Sequence, residues 1–229
     1  MSSDHQPFDP CAIEERYLAT RERVWRAAQA HGRESASVKL VAVTKTFSES
    51  EILPVLRQGH VYFGENRVQE AMHKWPGLRE QFPAIELHLI GPLQTNKARE
   101  AVALFDCIET LDRLKLAASL AAEMKRQGRA PKLLIQVNTG LEAQKAGVAP
   151  ADAGKFLHQC QREFGLAISG LMCIPPLEDD PVPHFEMLAA LRDKLGLTEL
   201  SMGMSADFEA AIAAGATMVR VGTAIFGQR

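Results

Sequence analysis

Residues 38–48, VKLVAVTKTFS, combine the apolar run of a buried strand with a lysine at its exit, Lys45. A buried strand needs only apolar side chains, so an ammonium group at its end requires a reason. We expect its stem to lie along apolar walls, where desolvation lowers the pKa and frees a nucleophilic amine. Such an amine can form a Schiff base with an aldehyde. Taken alone, a lysine at the end of a strand is more often a solvated residue that opens a loop.

Outward from this stretch, short apolar runs alternate with helical segments along the whole chain. The eight runs are KLVAVT, HVYFGE, ELHLIG, DCIETL, KLLIQVN, AISGLMC, ELSMGM and TMVRVG. Helical patterns cover residues 13–30, 49–58, 66–75, 95–104, 112–127, 150–164, 183–195 and 206–214. This alternation is typical of βαβ units with a parallel sheet.

Eight strands favour closure into a (β/α)8 TIM barrel, a single α/β domain over residues 11–229 with an extra N-terminal helix. Residues 1–10 are expected to be a flexible polar tail. An open doubly wound sheet is the alternative, but the chain lacks that fold's glycine-rich signature after the first strand. Alternation within TMVRVG places Met218, Arg220 and Gly222 on one face of the last strand.

Composition narrows the class of protein. The 229 residues are 46% hydrophobic and 24% charged with a net charge of −2, which gives no reason to expect nucleic acid as a partner. No apolar run is long enough to cross a membrane, and the N-terminus lacks the apolar core of a signal peptide. We therefore expect a cytoplasmic protein with reduced, mostly buried cysteines. No histidine motif suggests a metal site, and His88 reads as a core or pocket-rim residue.

In a barrel the chemistry gathers where the strands end at their carboxyl side. After the seventh strand, Ser205 is expected to cap the helix that follows. After the eighth, Gly222 allows close backbone approach and Thr223 opens a final turn. The loops at these two positions commonly hold a phosphate, which free backbone N–H groups attract. Tight turns without a ligand would have the same sequence.

Arg220 adds a cation that points inward between these loops and Lys45. A buried guanidinium needs a partner, which here could be a ring nitrogen, a carboxylate or the phosphate. A lysine that can bind an aldehyde, two loops that can hold a phosphate and an inward-facing cation together indicate pyridoxal 5′-phosphate (PLP) as the cofactor.

Several segments carry a resemblance to a known family: AVTKTFS, FGENRVQE, HLIGPLQTNKAR, SGLMCIPP and LSMGMSADFEAAIAAGATMVRVGTAIFG. The chain closely resembles the pyridoxal phosphate homeostasis protein family, from about Val38 to Gly227, and so the barrel domain of alanine racemase. The resemblance implies that Lys45 carries the cofactor, that Arg220 faces its pyridine nitrogen and that Asn66 lines the pocket. It also implies that the phosphate is held by the remaining matched positions: Met204, Ser205, Gly222 and Thr223. The segment QVNTGLEAQKAG lacks the family's serine-rich loop, although Lys145 is retained.

The resemblance implies a protein that holds PLP as a lysine aldimine and releases or transfers it, with PLP-dependent apoenzymes as possible recipients. An arginine at the pyridine nitrogen disfavours the protonated ring that acts as an electron sink. Racemisation needs a base on each face of the substrate, and the racemases take one from a second domain, for which a chain ending at Arg229 leaves no room. We therefore expect a monomer with no catalytic residues and no metal. The alternatives are a PLP-dependent racemase-like enzyme and a Schiff-base aldolase. Lys145 reads equally as an accessory amine or as a solvated loop lysine.

Overall fold

The computed structural model describes residues 9–228 of the chain. Its eight strands are all parallel and close into a barrel in the order β1 to β8, so the predicted (β/α)8 fold is confirmed. The strands are β1 Lys39–Val43, β2 Tyr62–Glu65, β3 Glu86–Leu89, β4 Cys107–Leu111, β5 Lys132–Val137, β6 Ile168–Cys173, β7 Glu199–Ser201 and β8 Met218–Val221. The expected tail over residues 1–10 lies outside the described residues except for Asp9 and Pro10.

Helices connect the strands and cover the outside of the barrel. They are α1 Pro10–Ala30, α2 Glu49–Arg57, α3 Val68–Gln81, α4 Ala98–Leu104, α5 Leu114–Gln127, α6 Ala153–Phe164, α7 Pro181–Leu195, α8 Phe208–Ala213 and α9 Thr223–Phe226. Short 3₁₀ turns precede β1, α4 and α6 at Ser35–Ser37, Thr95–Lys97 and Pro150–Asp152. Within the described part of the chain, no helix is long and apolar enough to cross a membrane.

Side chains alternate between the two faces of every strand, which divides the apolar core in two. Leu40 and Ala42 of β1 point outward into a large cluster packed under the helices, whereas Val41 points into the barrel. The interior cluster is much smaller and is capped by polar layers at both ends. Its buried members come from five different strands: Val41, Cys107, Leu134, Met172 and Met218. The predicted inward face of β8 is confirmed, since Met218 belongs to this cluster and Arg220 is buried beyond it.

Several helix boundaries differ from the sequence prediction, and two of these differences have identifiable reasons. Helix α1 begins at Pro10 because the Asp9 carboxylate accepts hydrogen bonds from the Cys11 and Ala12 N–H groups, and a proline suits the first helical position. Helix α3 was predicted to stop before Pro76 but continues to Gln81. Proline costs one backbone bond there, yet Leu78 in the next turn is buried against the core, which holds the helix together.

The extra N-terminal helix packs across the end of the chain. Helix α1 contacts α2, α8 and α9, and Arg16 of α1 donates from Nε to the carbonyl of Ile225 at 2.8 Å. The loop after β8 is therefore fixed from the outside by α1.

Candidate functional site

Lys45 lies two residues beyond β1, at the carboxyl end of the barrel. Strand β1 pairs with β8, with Val41 opposite Arg220, so Lys45 leaves the barrel next to the end of β8. Its side chain is exposed, which corrects the expectation that its stem would lie along apolar walls. The reason is local, because the strand ends at Val43 and the following turn carries Lys45 above the last interior layer.

Asn66 follows β2 directly and is half-buried at the same end of the barrel. Its backbone is fixed by Gly91, which follows β3. A Cβ atom on Gly91 would lie only 2.2 Å from the Asn66 carbonyl oxygen, so no side chain fits there. The GEN and IGP segments, which follow neighbouring strands, are thus packed backbone to backbone.

The loop after β7 is built around Gly203, which has φ +91° and would bring a Cβ within 2.5 Å of the Ala211 side chain. Helix α8 begins at Phe208 with Asp207 as its N-cap residue, so the prediction that Ser205 caps this helix is wrong. Asp207 instead accepts a hydrogen bond from the Met204 N–H at 2.5 Å, which closes the loop on itself. The sequence signal misled because Ser205 and Asp207 are both common capping residues.

Ser205 instead joins the two predicted phosphate loops. Its Oγ accepts a hydrogen bond from the Ala224 N–H at 3.3 Å, across from β7 to β8. Gly222, half-buried, approaches β1 closely, since a Cβ there would lie 3.4 Å from the Val43 carbonyl oxygen. Thr223, the first residue of α9, is exposed. The structure therefore brings Ser205, Gly222 and Thr223 together at one edge of the barrel mouth.

Arg220 is buried inside the barrel, with 4% of its surface exposed. Its Nη1 donates to Ser201 Oγ at 2.6 Å, and its Nη2 donates to the Cys173 carbonyl at 2.7 Å. Ser201 Oγ donates in turn to Glu109 Oε2 at 2.5 Å, and Glu109 lies 4.0 Å from Arg220. Two acceptors on neighbouring strands thus fix the guanidinium plane, and a buried carboxylate balances its charge.

The interior network continues to His88. Glu109 Oε1 is 2.7 Å from His88 Nδ1, and His88 Nε2 lies 3.5 Å from Glu86 Oε1. Burial opposes the imidazolium, but Cys107 and the two carboxylates outweigh it and raise the pKa of His88 well above its ordinary value. Burial alone would raise the pKa of Glu109, yet His88, Arg220 and Ser201 together lower it. The pair is therefore an ion pair. His88 is a core residue as expected, although its Nε2 has no hydrogen-bond partner within the described residues.

One group of possible metal ligands overlaps this network. Donor atoms of His88, Cys107 and Glu109 lie within 4.8 Å of one another, and all three residues are buried. The hydrogen bond between His88 and Glu109 and the nearby charge of Arg220 both disfavour a cation at this position.

Lys145 is half-buried and is held between two loops. Its Nζ donates to the Pro175 carbonyl at 3.1 Å and pairs with Glu142 at 2.6 Å. Gly140 packs against the next loop as well, since a Cβ there would lie 2.3 Å from Pro176. Lys145 therefore joins the loops that follow β5 and β6.

Two cavities lie away from the Arg220 network. One, of about 660 Å³, lies beside the turn after Lys45 and is lined by Thr46, Phe47, Ser48, Glu49, Ser50, Glu51, Glu70, His73 and Lys74. The other, of about 450 Å³, lies at the opposite end of the barrel near Glu86 and Arg129. Neither includes Arg220, so the predicted cofactor position rests on the strand ends and not on cavity size.

Sequence reasoning missed Glu109 and Ser201, the two residues that hold Arg220. Both could have been predicted from the alternation of side chains along a strand that was used for β8. In DCIETL the same alternation places Cys107 and Glu109 inward, and in ELSMGM it places Glu199 and Ser201 inward. A carboxylate on an inward face is the expected partner of a buried arginine.

Comparisons with known proteins agree with the fold. The profile described as alanine racemase, N-terminal domain, matches residues 18–229. The chain is 43% identical over 213 residues to a pyridoxal phosphate homeostasis protein of Vibrio cholerae, covering 89% of this chain and 90% of that protein. It is 38% identical to the protein of that name from Escherichia coli over 218 residues, covering 91% and 93%.

Solved structures give the same grouping. PipY of Synechococcus elongatus without PLP is 40% identical with a TM-score of 0.83, covering 94% of this chain and all of that one. The same protein with PLP bound is matched at 38% identity and a TM-score of 0.80, with the same coverage. The fold is thus that of the alanine racemase N-terminal domain. Within that class, the chain belongs to the pyridoxal phosphate homeostasis protein family, which confirms the resemblance noted in the sequence.

Proposed function

We propose that this protein binds PLP, holds it as a Schiff base with Lys45, and releases or transfers it in intracellular PLP homeostasis. The observation that carries the proposal is the junction of β1 and β8. Val41 pairs with Arg220, and Gly222 approaches the Val43 carbonyl, so Lys45 emerges beside a buried guanidinium and a glycine-bearing loop. PipY, which shares 38% of its sequence with this chain, has been solved with PLP bound.

The residues fit the parts of the cofactor. The Lys45 amine adds to the aldehyde carbon and water leaves, which forms the C=N bond without any redox change. Arg220 would face the pyridine nitrogen, and Asn66 would line the pocket beside the ring. The joined loops would hold the phosphate, because Ser205 and Thr223 offer hydroxyl groups there and Gly222 carries no side chain. Met204 belongs to the same loop, although its N–H group is already bonded to Asp207.

The environment of Arg220 favours retention of PLP over a catalysed reaction of an amino-acid substrate. Bound PLP supplies an electron sink, which is strongest when its pyridine nitrogen carries a proton. A guanidinium is a cation in proteins, and the lowered pKa of Glu109 keeps a carboxylate behind that of Arg220. A fixed cation facing the ring nitrogen disfavours a proton there. We therefore infer that the protein has no efficient reaction of its own.

Release follows from the same chemistry in reverse. Water, or the amine of another molecule, adds to the C=N carbon, and the Lys45 amine leaves. The exposure of Lys45 supports such exchange, because an incoming group can reach the linkage from solvent. We propose PLP-dependent apoenzymes in the cytoplasm as recipients, with this chain acting as a monomer.

The test is covalent trapping of the cofactor. We expect the purified protein with PLP to show the visible absorption of an imine and to retain the cofactor on the Lys45 peptide after borohydride reduction. Lys45→Ala should lose both signals while keeping its fold by circular dichroism. Lys97→Ala, which removes another lysine at the same end of the barrel, is the matched control and should keep them. Cofactor fixed elsewhere in Lys45→Ala would overturn the assignment.

A second measurement separates the carrier from a racemase-like enzyme. Incubation with amino acids in deuterated water should give only slow exchange of the α-hydrogen. Turnover above about 1 s⁻¹ would place the protein among ordinary enzymes and contradict the carrier role.

A further inference from the structure

The turn that carries Lys45 has an unusual backbone. The Phe47 N–H donates to the Thr44 carbonyl at 3.1 Å, which closes a four-residue turn with Lys45 and Thr46 at its centre. Thr46 has φ +65°. Turns of this kind place glycine or asparagine at that position, because a β-branched side chain is strained in the left-handed region. Something outside the turn must therefore hold Thr46 in place.

Glu70 of helix α3 holds the strained residue. Its Oε1 accepts the Thr46 N–H at 2.5 Å, and the same oxygen is 3.1 Å from the Nζ of Lys74, one helical turn later. Lys74 is 7% exposed, so its charge requires partners.

All of the hydrogen bonds of the Lys74 ammonium are directed at this region. Besides Glu70, it donates to the Thr44 carbonyl at 2.8 Å and to Glu65 Oε1 at 2.9 Å. Glu65 also accepts from Thr44 Oγ1 at 2.7 Å and from Trp75 Nε1 at 3.1 Å. We call Glu65, Glu70 and Lys74 the turn bracket. It fixes the backbone on both sides of Lys45, at the Thr44 carbonyl before it and at the Thr46 N–H after it.

We propose that Glu70 and Lys74 are positioning residues for Lys45. They hold Thr46 in its left-handed conformation, and this sets the direction in which the Lys45 side chain leaves the barrel. The inference rests on the proposed Schiff base at Lys45 and extends it to two residues that do not contact the cofactor. The bracket lies outside the barrel, behind β2, so it acts on the amine only through the path of the backbone.

The experiment compares Glu70→Ala, Thr46→Gly and the double variant by titration with PLP, followed by borohydride fixation at Lys45. Glu70→Ala should bind PLP covalently about tenfold more weakly, because an unsupported Thr46 leaves the left-handed region. Glycine adopts that conformation without penalty, so adding Thr46→Gly to Glu70→Ala should recover most of the loss. Glu80→Ala removes an exposed carboxylate from the same helix and should match the unchanged protein.

A second readout needs no cofactor. Hydrogen exchange of residues 44–48 in PLP-free protein should be faster in Glu70→Ala, and thermal unfolding should show that the fold is retained. Glu70→Gln keeps an acceptor oxygen and should show a smaller loss, which gives a milder variant if Glu70→Ala does not fold.

The outcomes are distinct. Unchanged PLP titration in Glu70→Ala would overturn the inference, as would a loss that Thr46→Gly does not recover, since a purely structural role would not depend on the strain at Thr46. Failure of the unchanged protein to fix PLP at Lys45 would instead overturn the proposed function, and this inference with it.

Discussion

The two ends of the barrel interior both contain charges, but they balance them differently. At the amino end, Lys39 lies 3.5 Å from Glu86 and over the ring of Tyr62, and Lys132 lies 4.0 Å from Glu199. These side chains are partly exposed, so water shares in stabilising them and each pair contributes little.

At the carboxyl end, Arg220 and Glu109 are both buried and are linked through Ser201. Burying a charge costs desolvation energy, so the charge persists only if its partner stays in place. Such a charge is useful where it faces a ligand. Among the described residues, the buried and hydrogen-bonded Arg220 therefore lies at the end of the barrel where the cofactor is proposed to bind. Lys45, by contrast, remains open to solvent at that end.

The largest expected effect comes from removing the buried carboxylate at the carboxyl end of the barrel. Glu109→Ala leaves the Arg220 and His88 cations buried without their shared carboxylate, so the free energy of unfolding should fall by about 3–5 kcal/mol. Glu199→Ala, the matched change at the amino end, should lower the free energy of unfolding by about 1 kcal/mol or less, because its partner Lys132 is half-exposed. Urea unfolding measures both.

Glu109→Gln serves as a milder variant, because it keeps the shape of the carboxylate while removing its charge. Equal losses for Glu109→Ala and Glu199→Ala would show that the two ends are not distinguished by burial.

A smaller effect is expected from the hydroxyl group of Thr223, which is proposed to bind the phosphate at the carboxyl end. Thr223→Val removes one hydroxyl group while preserving side-chain shape, and a hydrogen bond to a charged phosphate contributes about 1.5–3 kcal/mol. PLP affinity should therefore fall about tenfold or more. Binding of pyridoxal, which lacks the phosphate, should be weak in both proteins and unchanged by the substitution. Calorimetric titration gives both affinities, and equal binding of PLP and pyridoxal to the unchanged protein would contradict the phosphate loops.

The fold was predictable because its signal is repeated. Each of the eight strands is short and apolar and is followed by a helix, so single errors such as the premature end at Pro76 did not alter the topology. Inward orientation of Arg220 also followed from alternation along one strand.

The contacts within the site were less predictable, because they join residues far apart in sequence. Glu109 and Ser201 are 92 positions apart, and nothing local in either strand indicates which inward residues meet. Ser205 bonds to Ala224, although its sequence favoured a helix cap. Lys45 is exposed because of a turn whose left-handed residue is Thr46. A glycine at that position would have indicated the turn in the sequence.

The smallest expected effect concerns the second lysine at the carboxyl end. Lys145 is about one-third exposed and is bonded to the Pro175 carbonyl and to Glu142. Lys145→Met keeps the apolar stem and removes the amine, so the free energy of unfolding should fall by only about 0–1 kcal/mol. Fixation of PLP at Lys45 should be unchanged, because the Lys145 amine is already engaged between two loops. The rate at which bound PLP passes to an added amine should also be unchanged. A tenfold slower transfer in Lys145→Met would assign Lys145 a direct part in the exchange, and the carboxyl end would then contain two reactive amines.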